Sequence, residues 1–208
     1  MEIQIIEDFL PIKYQQDIIN TVCYDPGFPW YKYHSTYNHN TVVADNVDPQ
    51  ILKQEGVVPT NKTKESPQFV HSFYNESNGS RSDWFAFMRT MNYFIPHNIN
   101  NILRIKVNCM QKQPDYPEGF YNTIHTDTNR ELPYAKDMKT LLYYPMDTDG
   151  DTYFFNKTIF DDDKSDIEIM KTVSPKSNRA VIFDSAQLHA SSPPRISEWR
   201  FAVNFIFT

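Results

Sequence analysis

His125 and Asp127 stand two residues apart in Tyr121-Asn122-Thr123-Ile124-His125-Thr126-Asp127. In an extended strand successive side chains point to opposite faces. Thr123, His125 and Asp127 then share one face and Ile124 takes the other. An imidazole nitrogen and a carboxylate oxygen on one face can reach the same ion. Two donors hold a transition metal poorly, and the best third candidate is His189, in Ser185-Ala186-Gln187-Leu188-His189-Ala190. Two histidines and one carboxylate, with other positions left open, form a donor set that suits non-haem Fe(II). Taken singly each motif is ordinary. A His-X-Asp can be a hydrogen-bonded turn, and a His within Leu-His-Ala can be a satisfied core residue. His34, His39, His71 and His97 have no partner at metal-ligand spacing and read as structural.

Arg200 is the fourth candidate. The last strand, Trp199 to Phe207, carries Trp199, Phe201, Val203, Phe205 and Phe207 on one face and Arg200, Ala202, Asn204 and Ile206 on the other. Either the aromatic face is core and the Arg face meets solvent, or both faces are buried. In the second case Arg200 needs an anion, because an unpaired buried charge is strongly unfavourable. A carboxylate-bearing ligand would match the guanidinium fork.

These residues need a scaffold, and the spacing predicts a mainly β one with flanking helices. Glu2 to Leu10 alternates as a strand, and Pro11 can open a helix that runs to about Tyr24 and stops at Asp25-Pro26-Gly27. Trp30 to Tyr37 and Gln68 to Tyr74 read as strands. Residues 38–67 form a polar excursion with at most a short helix near Gln50 to Gln54. Ser82 or Asp83 can cap a helix through Trp84 to Phe94, ended by Pro96. From Asn101 onward strands dominate: Ile102 to Gln113, Asn122 to Asp127, Lys139 to Pro145, Asp151 to Asn156, Ile167 to Val173, Arg179 to Asp184, Leu188 to Ser191 and Trp199 to Phe207. Such a run predicts a sandwich or jelly roll. The expected organisation is a single domain over 1–208. Residues 1–100 make a covering α/β layer with the excursion, and 101–208 make the β-core, with the helices on one outer face.

Composition narrows the function classes. Fifteen Phe, thirteen Tyr and three Trp against five Gly among 208 residues favour a β-rich chain. A formal net charge of −6 with no Lys/Arg stripe argues against a nucleic-acid partner. No apolar run reaches membrane-spanning length, and no signal peptide is visible, so a cytoplasmic location is expected. Cys23 and Cys109 read as reduced, buried thiols. Asp147-Thr148-Asp149-Gly150-Asp151 imitates a calcium loop, but Thr158 stands where its final Glu belongs, so a hairpin turn at Asp149-Gly150 is expected instead. Arg130 and Arg195, on loops expected near the metal, are either substrate contacts or surface charges. The aromatic N-terminal residues (Trp30, Tyr31, Tyr33, Tyr37, Phe73, Tyr74) are either core or a wall for substrate.

His125-X-Asp127, then His189, then Arg200 resembles the Fe(II)/2-oxoglutarate-dependent dioxygenases, over about residues 104–208. Thr140-Leu141-Leu142-Tyr143-Tyr144 with Gly150-Asp151-Thr152, and Arg179 to Ser185 before the distal His, are similar to the prolyl 4-hydroxylase-like branch. The resemblance implies a double-stranded β-helix, that is, a jelly-roll core. It implies His125, Asp127 and His189 as Fe(II) ligands and Arg200 as partner of the far carboxylate of 2-oxoglutarate. Tyr144 and Asn204 would bond that carboxylate, and Leu142 would line its pocket. It further implies an O2-consuming hydroxylase that releases succinate and CO2 and acts on a small molecule or peptide. Two departures stand out. That branch often has Lys where Arg200 stands, and Ala202 replaces the Ser of a common Arg-X-Ser. The alternative from another class is a non-catalytic jelly-roll module that holds zinc or no metal and binds a carboxylate or a sugar. Repair of alkylated nucleic-acid bases by the same chemistry is disfavoured by the acidic balance.

Overall fold

The computed structural model describes residues 2–33, 58, 60–80 and 82–208. The expected helix at Gln50 to Gln54, and with it His34, Tyr37 and His39, lies outside these residues. Strand β1 (Gln4–Ile6) leads to helix α1 (Ile12–Ile18), which continues as π-helical turns over Ile19–Tyr24. Strands β2 (Tyr31–Tyr33), β3 (Gln68–Asn75) and the short β4 (Gly79–Ser80) follow. Then come α2 (Phe85–Arg89) and a 3-10 turn at Thr90–Phe94. The C-terminal half holds β5 (Ile102–Gln111), β6 (Lys139–Tyr144), β7 (Thr152–Thr158), β8 (Ile169–Val173), β9 (Arg179–Asp184), β10 (Gln187–Ser191) and β11 (Trp199–Phe207).

Two antiparallel sheets make the jelly roll. The larger runs β1-β9-β6-β11-β5-β3-β2, with β4 on β3, and the smaller runs β10-β7-β8. The larger sheet is covered on both faces. Outside, Ile105, Val107, Leu141, Tyr143, Val203 and Phe205 pack against Phe9, Leu10, Ile18, Val22, Met88 and Met91 from the helical layer. Inside, Leu142, Tyr144, Val181, Phe183 and Ala202 meet Phe154 and Val173 of the smaller sheet. Each fully buried side chain of this kind contributes roughly 1.5–3 kcal/mol. From Arg200 to Phe207 strand β11 is buried at every position, so its Arg face looks into the barrel and not into solvent.

Two expectations are corrected. Residues 121–127 form no continuous strand. Ile124 and His125 make isolated bridges to Val58 and His189. The backbone bonds of this stretch are divided among Ser191, His189 and Ser185 on one side and Lys62, Lys64, Glu65 and Val58 on the other. The chain stays extended, but no single neighbour runs alongside it. The Asp149-Gly150 hairpin is also absent, because β6 and β7 belong to different sheets and the loop crosses between them. Gly150 does not adopt a positive φ.

The aromatic N-terminal cluster is core in part. Trp30 and Tyr74 pack on the outer hydrophobic layer with buried Phe73, while Tyr31 is exposed. His71 is structural, its ring nitrogens bonding the Pro29 carbonyl and Ser82 Oγ. Arg130 pairs with Asp162, and Arg195 faces Glu118 at 3.8 Å; neither lines the cavity described below.

Asn178 staples the N-terminal segment to the barrel. It sits at φ 60° and is buried. Its Nδ2 donates to the Leu10 carbonyl at 2.8 Å, its Oδ1 accepts from Leu10 N–H at 3.0 Å, and its own carbonyl accepts from Phe9 N–H at 3.0 Å. Asn178→Ala loses three buried side-chain bonds, the third from Tyr143 Oη at 3.3 Å, and leaves at positive φ a residue without the local polar side chain that tolerates it, so urea unfolding should show a loss of about 2–4 kcal/mol. Asn178→Gly removes the backbone strain and should recover about 1 kcal/mol of that loss.

Candidate metal centre

The structure brings His125, Asp127 and His189 together, with one donor atom of each within 4.8 Å of the others. Reciprocal backbone bonds hold the two histidines opposite each other: His125 N–H donates to the His189 carbonyl and His189 N–H to the His125 carbonyl, each at 2.9 Å. The pairing of β10 with β7 shifts register between Gln187 and His189. Irregularities of this kind re-aim a side chain, here just before a site residue. The imidazoles are oriented alike. His125 Nδ1 lies 3.0 Å from the Thr123 carbonyl and His189 Nδ1 lies 2.9 Å from the Gln187 carbonyl. Nδ1 must carry the proton to make these bonds, which leaves each Nε2 with a free lone pair for a metal.

Asp127 is held from three directions. Arg104 donates to Oδ1 at 2.6 Å; Asn204 Nδ2 and Thr140 Oγ1 donate to Oδ2 at 2.9 and 3.1 Å. Oδ2 lies 3.6 Å from His189 Nε2. Burial alone pushes the Asp127 carboxyl up, but Arg104, His189 and Lys106 reverse this and hold it below the usual carboxylate range. His125 is pushed down to about 3, by burial first and by His189 second. His189 is lowered mainly by burial. Two neutral imidazoles with free Nε2 atoms and one ionised carboxylate fit a divalent transition metal, and burial favours its retention.

The same cavity reaches Arg200. Its lining includes Lys106, Asn108, Met110, Leu142, Thr152, Ala202 and Asn204 besides the three candidate ligands. Arg200 is buried, 3% exposed, and lies over the Tyr144 ring at 5.6 Å. Its Nε donates to the Gly150 carbonyl at 2.7 Å and its NH2 to Thr152 Oγ1 at 2.8 Å; Tyr144 Oη also bonds Thr152, at 2.8 Å. Gly150 is required by space. A Cβ there would stand 2.7 Å from Arg200 Cδ and 2.7 Å from the Ser192 carbonyl oxygen. Beside it, Asp149 accepts the backbone N–H groups of Arg195, Ile196 and Ser197 at 2.8–2.9 Å. Partial burial works against ionisation of Asp149, yet these bonds bring it down to about 2.

Arg200 and Leu142 therefore share one cavity with the three candidate ligands, while Tyr144 is fully buried behind Arg200 and Thr152 and does not line it. Asn204 differs from its expected place. It is committed to Asp127 and, through Oδ1, to Arg104 at 3.0 Å, at the metal end and away from Arg200. Sequence reasoning missed Arg104, Lys106, Asn108, Thr140 and Thr152. The available signal was the polar alternation of Arg104, Lys106, Asn108 and Met110 along β5, which pairs with β11 and faces the same way as Arg200.

Acid should destabilise the metal-free protein. Between pH about 3 and about 6.5 the unfolded chain binds protons at His125 that the folded chain refuses, so stability falls as pH falls through this window. Asp127 acts in the same direction at lower pH, where protonation removes the benefit of its depressed value. Urea unfolding from pH 7 to pH 5 should show this slope, to which His189 and His71 add in the same direction, and His125→Gln should lessen it.

Residues 108–208 match the model of the 2OG-Fe(II) oxygenase superfamily. No curated protein sequence matches the chain. Among solved structures the chain is similar to a Trichoplax adhaerens prolyl hydroxylase in complex with a hypoxia inducible factor oxygen degradation domain peptide fragment. That likeness has 15% identity, covers 99% of this chain and 82% of the other, and has a TM-score of 0.51. A Pseudomonas putida prolyl-4-hydroxylase is similar at 12% identity, over 99% and 91% of the two chains, with a TM-score of 0.50. The non-heme alpha ketoglutarate dependent epimerase SnoN of nogalamycin biosynthesis is similar at 9% identity, over 99% and 78%, with a TM-score of 0.57. At such identities these structures speak to the fold, while the sequence match over the β-core speaks to descent. The C-terminal β-core, residues 108–208, is thus similar in sequence to the 2OG-Fe(II) oxygenase superfamily, and the whole chain shares the fold of such enzymes.

Proposed function

We propose that the protein is an Fe(II)- and 2-oxoglutarate-dependent oxygenase that hydroxylates a small molecule or a peptide and releases succinate and CO2. One observation carries the reading: a single cavity has His125, Asp127 and His189 at one end and buried Arg200 at the other. A diacid that chelates metal through its keto-acid end and pairs its far carboxylate with an arginine fits such a cavity.

In this reading His125, Asp127 and His189 hold Fe(II), Arg200, with Tyr144 behind it, receives the far carboxylate of 2-oxoglutarate, and Leu142 packs on its carbon chain. The bound metal supplies the O2 activation that couples decarboxylation of the co-substrate to attack on a C–H bond. The chain's own part is positional. The Thr123 and Gln187 carbonyls fix the ring orientations, and Arg104, Asn204 and Thr140 hold the Asp127 carboxylate. Thr152 and the Gly150 carbonyl keep the Arg200 guanidinium turned inward. The site lies inside the barrel, between the two sheets, which limits water and protects a reactive centre from unproductive turnover. The two prolyl hydroxylases among the similar structures support a hydroxylation, and one of them is held with a peptide fragment. The non-catalytic alternative is less well supported, since a binding module has no need of all four groups. Free Cys23 and Cys109 suit the reducing cytoplasm proposed as its location.

Anaerobic addition of Fe(II) and then 2-oxoglutarate should produce a weak visible metal-to-keto-acid charge-transfer band that needs both. Arg200→Ala should raise the 2-oxoglutarate midpoint roughly 10- to 100-fold, as expected for losing a charge-assisted pair. Gly150→Ala, by displacing the guanidinium, should shift the midpoint in the same direction and leave metal affinity unchanged. Asp127→Ala should abolish substrate-dependent succinate formation, and full retention would sink the proposal.

A further inference from the structure

The wall formed by β5 carries polar groups that the site described so far does not use. Lys106 lies opposite Asn204, and Asn108 opposite Ala202, in the β5–β11 ladder, so both face the cavity that holds the candidate ligands. Lys106 is half-buried and lines this cavity. No hydrogen bond or ion pair joins its ammonium to any described residue; the nearby Asp127 carboxylate is taken by Arg104, Asn204 and Thr140. Asn108 Oδ1 is a second polar atom, buried and without a partner among the described residues. Asp127 is the one carboxylate in the lining. Arg200 and Lys106 are thus two basic side chains in one cavity with no carboxylate hydrogen-bonded to either, Lys106 meeting the Asp127 charge only at longer range; they stand four residues apart along paired strands, a step of about 13 Å. A half-buried ammonium and a buried amide oxygen, neither with a hydrogen-bond partner among the described residues, carry a cost that a ligand would remove.

We propose that Lys106, with Asn108 beside it, is a carboxylate-binding element of the metal cavity, distinct from the Arg200 anchor. The inference rests on the oxygenase reading and deepens it. Either the co-substrate places its keto-acid carboxylate against Lys106, or the molecule to be hydroxylated is itself an organic acid. The shared chemistry is a carboxylate held within the cavity by an ammonium that no protein acid satisfies. This differs from a structural lysine in one respect that can be measured. Removing the charge should relieve the empty protein and weaken only the loaded one.

The test uses the full chain as wild type, Lys106→Met and Lys106→Arg, loaded anaerobically with Fe(II). Three quantities are read: the melting temperature of the metal-free protein, the 2-oxoglutarate midpoint from the charge-transfer band, and the response of that band to acetate at saturating 2-oxoglutarate. Lys106→Met should melt at or above the wild-type temperature. A 2-oxoglutarate midpoint raised tenfold or more assigns Lys106 to the co-substrate. An unchanged midpoint with loss of a wild-type acetate response assigns it to a second acid. In either case Lys106→Arg should restore most of the effect. An unchanged midpoint with no Lys106-dependent acetate response overturns the proposal, whatever the melting temperature. If Lys106→Met does not fold, Lys106→Gln repeats the comparison under the same criteria. A wild-type protein with no band at all overturns the oxygenase reading and the inference with it, an outcome separate from a band that ignores Lys106.

Discussion

The reciprocal pair of backbone bonds between His125 and His189 is the constraint on which the site depends. It joins an irregular extended segment to the smaller sheet at one point and sets two imidazoles side by side, tilted by 52° with ring centroids 4.5 Å apart. Each ring is then turned by a carbonyl two residues upstream in its own chain. Local backbone therefore fixes both orientation and tautomer, and the long-range contact has only to bring the two units together. Asp127 is held by side chains instead, from β5, β6 and β11, all in the larger sheet. The candidate centre thus lies where the two sheets meet, and it tightens or loosens with their packing.

Much of this was legible in the sequence because the β-core alternates so regularly. The bounds of β9 and β11 were readable directly, since Arg179–Asp184 and Trp199–Phe207 are bracketed by turn residues and carry continuous apolar faces. What alternation cannot supply is the direction of the polar face. Arg104, Lys106 and Asn108 look like the solvent side of a half-buried strand until β5 is seen between β11 and β3. The same ambiguity surrounds Arg200, and only its expected role drew it inward. Residues 121–127 misled in another way. Extended geometry was correctly implied, but pairing depends on neighbours such as Lys62, Lys64 and Ser185, whose proximity no local pattern encodes.

Gly150 illustrates a residue read correctly as special and explained incorrectly. A glycine after an aspartate signals a hairpin turn. Here its backbone is ordinary, and the absence of a side chain is what counts: the Arg200 stem and the Ser192 carbonyl occupy the space a methyl group would need. Asp149 next to it ties down the chain just before β11, through the N–H groups of residues 195–197. The Asp-Gly pair therefore works as a clamp on the arginine strand.

The two halves of the donor set lie far apart in the chain and meet where the segment before Asp127 bonds to the smaller sheet. No short stretch of the unfolded polypeptide presents all three donors at once. A metal that prefers all three binds the closed barrel and not its precursors, so its binding energy adds to the stability of the finished fold alone. Closure of the barrel and retention of an ion are therefore coupled: whatever loosens the join between the sheets also loosens the metal, and whatever removes the metal withdraws support from that join.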